Sequence, residues 1–236
     1  IELISRDIEL KVLIEDLTSY YKARNRPATN RDFPLGSMQG NYTLDELNER
    51  FDELHGLFPN IISNRVVIGQ SVEGRDIWAF KVSDNPNVDE DEPEVLYTAL
   101  THSREPLGMM NLIYFVQLLA EEQNSNPELE YLISNREMWF IPVVNPDGYA
   151  YNESIEPTGG GMHRKNRLNT NCGNGSNRGV DLNRNYGFGW GSNDIGSSPN
   201  PCSATYRGDV EFSEPETQAV RCLLYTSDAA DEVQCV

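Results

Sequence analysis

Two short apolar runs, VLYTAL (residues 95–100) and EMWFIPVV (137–144), flank LGMMNLIYFVQLLAEE (107–122) and a shorter helical stretch, PELEYLISN (127–135). Apolar runs of strand length without polar alternation belong to strands covered on both faces, and a helix between two of them returns the chain for a parallel neighbour. The alternation predicts an α/β fold: a mixed, mostly parallel twisted sheet with helices on both faces. Ligands of such sheets sit at the carboxyl ends of the strands. His102-Ser-Arg-Glu105 follows the first run there, and Asn145-Pro146-Asp147-Gly148 follows the second.

The flanking segments give this core its limits. Residues 1–40 read as a charged amphipathic stretch followed by turn and linker chemistry, so the folded unit is expected to begin near Asn41. NYTLDELNERFDELHGLFPN carries a capping box, Thr43 with Glu46, and Leu44, Leu47, Phe51 and Leu54 at helical spacing before Pro59. RVVIGQSVEGRDIWAFKVS alternates around Glu73-Gly74 and reads as a hairpin. DNPNVDEDEPE is expected to be a solvated acidic loop, NPDGY a turn shaping the floor of a site, and residues 150–201 nearly all loop.

HxxE alone is a weak pattern, since one short spacing occurs often without function. Its position at a strand end strengthens it: a catalytic zinc needs imidazole and carboxylate ligands and a position left for water. Arg104, between the two, is placed to polarise a carbonyl. The chain has 19 Lys and Arg against 37 Asp and Glu, a net charge of −18, which argues against nucleic acid or an anionic membrane as partner. Against that background Arg164, Lys165, Arg167, Arg178 and Arg184 cluster within residues 161–190 beside a single acid, Asp181. Guanidinium forks bind carboxylates and phosphates; without a GxxxxGK[ST] loop the carboxylate fits better. Asp181 is placed to fix the tautomer of a metal-bound imidazole. With no GxSxG elbow, Ser103 is a sequence neighbour of His102 and no nucleophile.

Of four cysteines, Cys172 and Cys202 flank a Gly/Asn/Ser-rich loop. A disulfide there would contribute on the order of 3 kcal/mol and imply an oxidising compartment; two unpaired buried thiols are the alternative. Cys222 and Cys235 have no evident partners.

Taken in order, THSREPLG, NREMWFIPVVNPDGYAY, HRKNR, GVDLNRNYGFGWG, PCSATYRG and FSEPET resemble the zinc metallocarboxypeptidases of the carboxypeptidase A and B type, with the bacterial carboxypeptidase T branch most similar, over about residues 41–220. The resemblance implies the zinc carboxypeptidase fold, one zinc ion per site, and peptide or protein C-termini as substrate. By position it makes His102 and Glu105 zinc ligands and Arg104 a helper. Arg167 becomes the arginine that polarises the scissile carbonyl, Asn183 and Arg184 the pair that grips the terminal carboxylate. Asp181 becomes the acid behind the histidine ligand, and Cys172 and Cys202 a disulfide seen in part of the family. A secreted monomer made as a zymogen is expected, with residues 1–40 as the end of a prosegment.

The third ligand is not evident. His55 is expected at a helix end, and His163 stands where the family has tryptophan. The family's third histidine, general-base glutamate, mobile tyrosine and specificity residue are all expected beyond residue 236. A further helix is expected to start with Ser213 and Glu216 as a capping box, residues 222–236 to be non-native, and the catalytic domain of 41–221 to be partial. As written, the chain is expected to be inactive and to fold poorly. Two other readings remain: a zinc amidohydrolase acting on acylated amino acids or peptidoglycan peptides, and a catalytically dead peptide-binding module.

Overall fold

The computed structural model of the chain describes residues 33–227, apart from 174 and 176, together with Asp16. The chain divides into two units between residues 34 and 35, and every element named here belongs to the second. The expected prosegment tail lies mostly outside the described residues, as do residues 228–236. Met38, ahead of the expected start at Asn41, is buried and bridges antiparallel to Asn41.

Helix α1 (Leu44–Leu57) begins at the capping box read from the sequence, Thr43 accepting from the Glu46 N–H and Glu46 accepting from Thr43. Strands β1 (Val66–Gln70) and β2 (Asp76–Val82) form the expected antiparallel hairpin. Next come β3 (Glu94–Thr98), α2 (Leu107–Glu122), α3 (Pro127–Ile133) and β4 (Glu137–Ile141). The sheet runs in the order β1-β2-β4-β3, with β3–β4 parallel and the other pairings antiparallel. It is the mixed sheet expected, with a smaller parallel share among the described strands because β4 pairs with the hairpin.

Alternation along β2 and β4 divides the core into two layers. On one face Trp78, Phe80 and Phe140 meet Phe51 of α1, Tyr97 of β3 and Phe115 of α2 in a chain of ring contacts 4.9–6.2 Å apart. On the other, Ile77, Ala79 and Ile141 pack with Ala219, Val220 and Leu223 of helix α5 (Pro215–Ser227), so helices do cover both faces. Helix α4 (Pro146–Ile155) lies beside the candidate site.

Several expectations are corrected. VLYTAL is not covered on both sides: β3 is an edge among the described strands, and Val95 and Tyr97 are each 37% exposed. The acidic loop is not simply solvated. Lys81 and Glu137 form a buried ion pair across β2 and β4, and the loop closes over it, Glu90 N–H donating to Glu137 and Lys81 donating to Val88 O. A buried ammonium needs such acceptors, which is why the loop folds inward. NPDGY is no turn: it opens α4 (Pro146–Ile155), with Asn145 as N-cap and Pro146 at the first helical position. The Ser213 capping box does not form, because Ser213 donates to Glu214 and the Glu216 carboxylate is taken by Asn166 and the Val72 N–H. Helix α5 also continues through Cys222, which is disulfide-bonded, so that residue does have a partner. Among the described residues no helix is long and apolar enough to cross a membrane.

Phe140 is fully buried and joins Phe80 and Tyr97. Phe140→Ala is expected to lower unfolding stability by about 3–5 kcal/mol through lost transfer energy and the cavity left, read as a reduced urea midpoint. An unchanged midpoint would contradict the layer assignment.

Candidate metal centre

Strand β3 ends in a strained step. Leu100 sits at φ +49, a conformation that costs a branched L-residue on the order of 1–2 kcal/mol. It is held there because Val144 N donates to Ala99 O and Asn145 N to Leu100 O, both at 3.0 Å. The step leads to His102, which is 8% exposed. Three segments lie side by side beneath it: Ser103 N donates to Arg164 O at 3.2 Å, and Asn166 N to Val180 O at 3.0 Å. From α4, Asn152 donates to both Ser103 O and His163 O at 2.9 Å, and Asn145 to Lys165 O at 3.0 Å. Gly148 permits this approach, since a Cβ there would lie 2.5 Å from Ser103 Oγ and 2.7 Å from Lys165 O.

At the centre, His102 Nε2 is 3.1 Å from Asp181 Oδ1 and His102 Nδ1 is 3.0 Å from Glu105 Oε2. Asp181 is fully buried; Arg164 Nη2 donates to its Oδ2 at 3.0 Å and Asn183 N to its Oδ1 at 3.2 Å. Burial pushes the Asp181 carboxyl upward, but the hydrogen bonds and charges of His102 and Arg164 outweigh it and hold the group below its ordinary value. An ionised Asp181 accepts a hydrogen bond from Nε2–H, and in the neutral imidazole that tautomer leaves Nδ1 as a bare acceptor. Two acceptors, Nδ1 and the Glu105 carboxylate, then face each other at hydrogen-bond distance, and only a proton or a cation between them is stable. The donors present therefore fit a divalent metal that takes nitrogen and oxygen ligands. Arg164 Nη1, 3.6 Å from Glu105 Oε1, steadies the half-exposed carboxylate.

Arg104 is exposed and lines a groove with Glu105, Thr101 and Gln39. Asn183 and Arg184 lie on a 3₁₀ turn (Leu182–Arg184) capped by Asp181, so the buried acid also sets their backbone. Arg184 Nε donates to Gly196 O at 2.6 Å, and both residues border a surface cleft with Tyr186 and Trp190. Arg167, 5% exposed, stacks on Tyr151 with its Cζ 3.8 Å from the ring centroid. Cys172 and Cys202 form a disulfide, Cα–Cα 5.3 Å, closing the loop that Lys165 also ties by donating to Asn177 O and Ser203 O.

The other histidines are engaged elsewhere. His55 Nδ1 meets Ile62 O at 3.0 Å at the end of α1. His163 Nε2 meets Asn166 O at 3.2 Å, and burial, with Arg167 and Lys165 nearby, pulls its pKa down to about 4, so it is a neutral structural ring. Sequence reasoning missed Arg164 as a partner of Asp181, although it belonged to the basic cluster. It also missed Asn145, Asn152 and the buried pair Glu214 and Glu216, both of which accept from Asn166, at 2.6 and 3.1 Å.

A sequence profile described as zinc carboxypeptidase matches residues 47–234. The chain is 39% identical over 164 residues to a zinc carboxypeptidase of Saccharothrix mutabilis subsp. capreolus, covering 68% of this chain and 35% of the relative. It is 30% identical to carboxypeptidase A1 of Sus scrofa over 91% of this chain and 47% of the relative. It thus spans half or less of the length of these curated relatives. Among solved structures it is similar to carboxypeptidase A from Helicoverpa armigera, with a TM-score of 0.72 and 28% identity over 96% of this chain and 54% of that one.

Burial pushes the Glu216 carboxyl up to about 7, against the hydrogen bonds from Asn166 and Val72. Because the folded-state pKa is raised, its stability contribution is full below the ordinary value of 4.5 and is lost as pH rises through about 7. Relative to wild type, Glu216→Gln is expected to gain up to about 3 kcal/mol between acidic and mildly alkaline pH, measured by urea melts across that range. A pH-independent difference would contradict it.

Proposed function

The chain belongs to the zinc carboxypeptidase family, and from that premise we propose that the whole protein removes C-terminal residues from peptides by zinc-assisted hydrolysis. The observation that carries this reading is the His102–Asp181–Glu105 arrangement, in which a buried acid fixes one imidazole nitrogen and turns the other toward a carboxylate. Zinc would be held by His102 Nδ1 and Glu105, the remaining protein ligand coming from elsewhere in the full-length protein. When bound, zinc supplies an activated water and a Lewis acid for the carbonyl.

The chain's own residues supply recognition and orientation. Asn183 and Arg184 grip the terminal carboxylate of the substrate, a charge-assisted contact that selects chain ends. Arg167 donates to the carbonyl oxygen as charge develops on it, and Arg104 assists from the groove. Asp181 keeps His102 in one tautomer, and its hold on the Asn183 N–H couples metal side to carboxylate side. The Cys172–Cys202 disulfide supports a secreted enzyme; a monomer is proposed on the family reading alone.

The test compares an N-blocked dipeptide with its C-terminal amide, using the full-length zinc-loaded protein. Release of the last residue from the acid alone, abolished by a chelator, is expected; equal cleavage of both, or of neither, contradicts the proposal. Arg184→Ala is expected to raise KM roughly 10- to 150-fold, the equivalent of about 1.5–3 kcal/mol for a hydrogen bond to a charged group. Asp181→Asn is expected to weaken zinc binding roughly 10- to 100-fold, measured by competition with a chromogenic chelator; unchanged affinity would remove Asp181 from the metal centre.

A further inference from the structure

The hairpin turn between β1 and β2 holds more buried polar contacts than joining two strands requires. Asp147, fully buried in the first turn of α4, accepts from Ser71 Oγ at 2.6 Å, from Glu73 N at 2.7 Å and from Arg75 Nη1 at 2.7 Å. Val72 N donates to Glu216 Oε1 at 3.2 Å. Gly74, at φ +82, lets the turn close on itself. The backbone at Glu73 is thereby nailed to α4 on one side and to the start of α5 on the other.

The Glu73 side chain projects from that anchored point between two arginines. Its Oε2 accepts from Arg75 Nη1 at 2.8 Å, and its Oε1 is 3.8 Å from Arg167 Nε. The Arg167 guanidinium also lies against the Tyr151 ring, its Cζ 3.8 Å from the centroid. Tyr151 is four residues after Asp147, so both are on one face of α4. The ring and, through Asp147, the Glu73 turn are referenced to the same helix face. A planar guanidinium held on its face and near Nε has the direction of its Nη edge fixed.

We propose that Glu73 is a positioning residue which, with the Tyr151 ring, clamps Arg167 in a single orientation; its catalytic consequence rests on the reading of Arg167 as the group that polarises the scissile carbonyl. Folding alone explains little of this contact. Glu73 is 36% exposed, and ion pairs that accessible add little to stability. The orientation of a charge near a reacting carbonyl, in contrast, is worth one to two orders of magnitude in rate.

The experiment uses the full-length zinc-loaded protein and the variants Glu73→Ala, Glu73→Asp and Arg167→Ala, alone and combined. Glu73→Ala is expected to lower kcat roughly 10- to 100-fold, with zinc content unchanged and KM within about twofold because Asn183 and Arg184 are untouched. Glu73→Asp restores part of the rate. In the Arg167→Ala background, Glu73→Ala changes the rate by less than about twofold. An equal loss in both backgrounds, or a loss carried by KM or zinc content, overturns the clamp. A second readout needs no turnover: the Arg167 Nε–H resonance, assigned by its disappearance in Arg167→Ala, is expected to be sharp and exchange-protected in wild type and averaged in Glu73→Ala. A protein without peptidase activity that shows this change sinks the proposed reaction and supports the clamp. An active enzyme whose Arg167 signal is indifferent to Glu73 sinks the clamp alone.

Discussion

Everything near the candidate centre depends on one buried carboxylate. Asp181 has no solvent to ionise into, and its charge is stable only because His102, Arg164 and the Asn183 N–H all donate to it. The three donors come from three segments, the exit of β3, the basic stretch after α4 and the 3₁₀ turn. A buried charge leaves few alternatives to this geometry, because removing any one donor exposes a desolvation cost of several kcal/mol. The sheet below delivers the segments; the acid decides how they meet.

The same logic recurs around α4. Asp147 at its start gathers the hairpin turn, Asn145 and Asn152 gather the segments at residues 103 and 163–165, and Gly148 lets that backbone approach. A short helix with buried polar side chains is an expensive element, and its Asn145 and Asn152 side chains bond to backbone of the site. Helix α4 is in this sense the floor on which the arginines and the histidine are set. The strain at Leu100 belongs to the same construction: the chain leaves β3 through an unfavourable φ because paired backbone on both sides over-determines it.

Much of this was legible in the sequence where the signal is local. The Thr43–Glu46 box and the Glu73-Gly74 hairpin follow from spacing alone, and both formed. His102, Glu105 and Asp181 were readable as a set only through ordered motifs, and the structure brings these three together. The Cys172–Cys202 bond was one of two open readings until the geometry decided it. Failures came where one local signal has two physical meanings. Asn-Pro-Asp-Gly is a turn composition, yet Asn as N-cap with Pro at the first helical position is equally a helix start. Glu216 satisfied the capping-box spacing, but a buried amide 50 positions away competed for it and won. The Glu73–Arg167 contact joins residues far apart in the chain, and no periodicity encodes it.

With Nε2 held by Asp181, His102 Nδ1 and Glu105 are left to meet a metal together. The most direct measurement is anomalous diffraction at the zinc edge from crystals of the zinc-loaded full-length protein. The expected result is a peak within about 2.0–2.2 Å of both His102 Nδ1 and a Glu105 oxygen, with Nε2 still on Asp181. A zinc peak bound through His102 Nε2, or one at the Asp89, Glu94 and Glu137 carboxylates with none at His102, would contradict it.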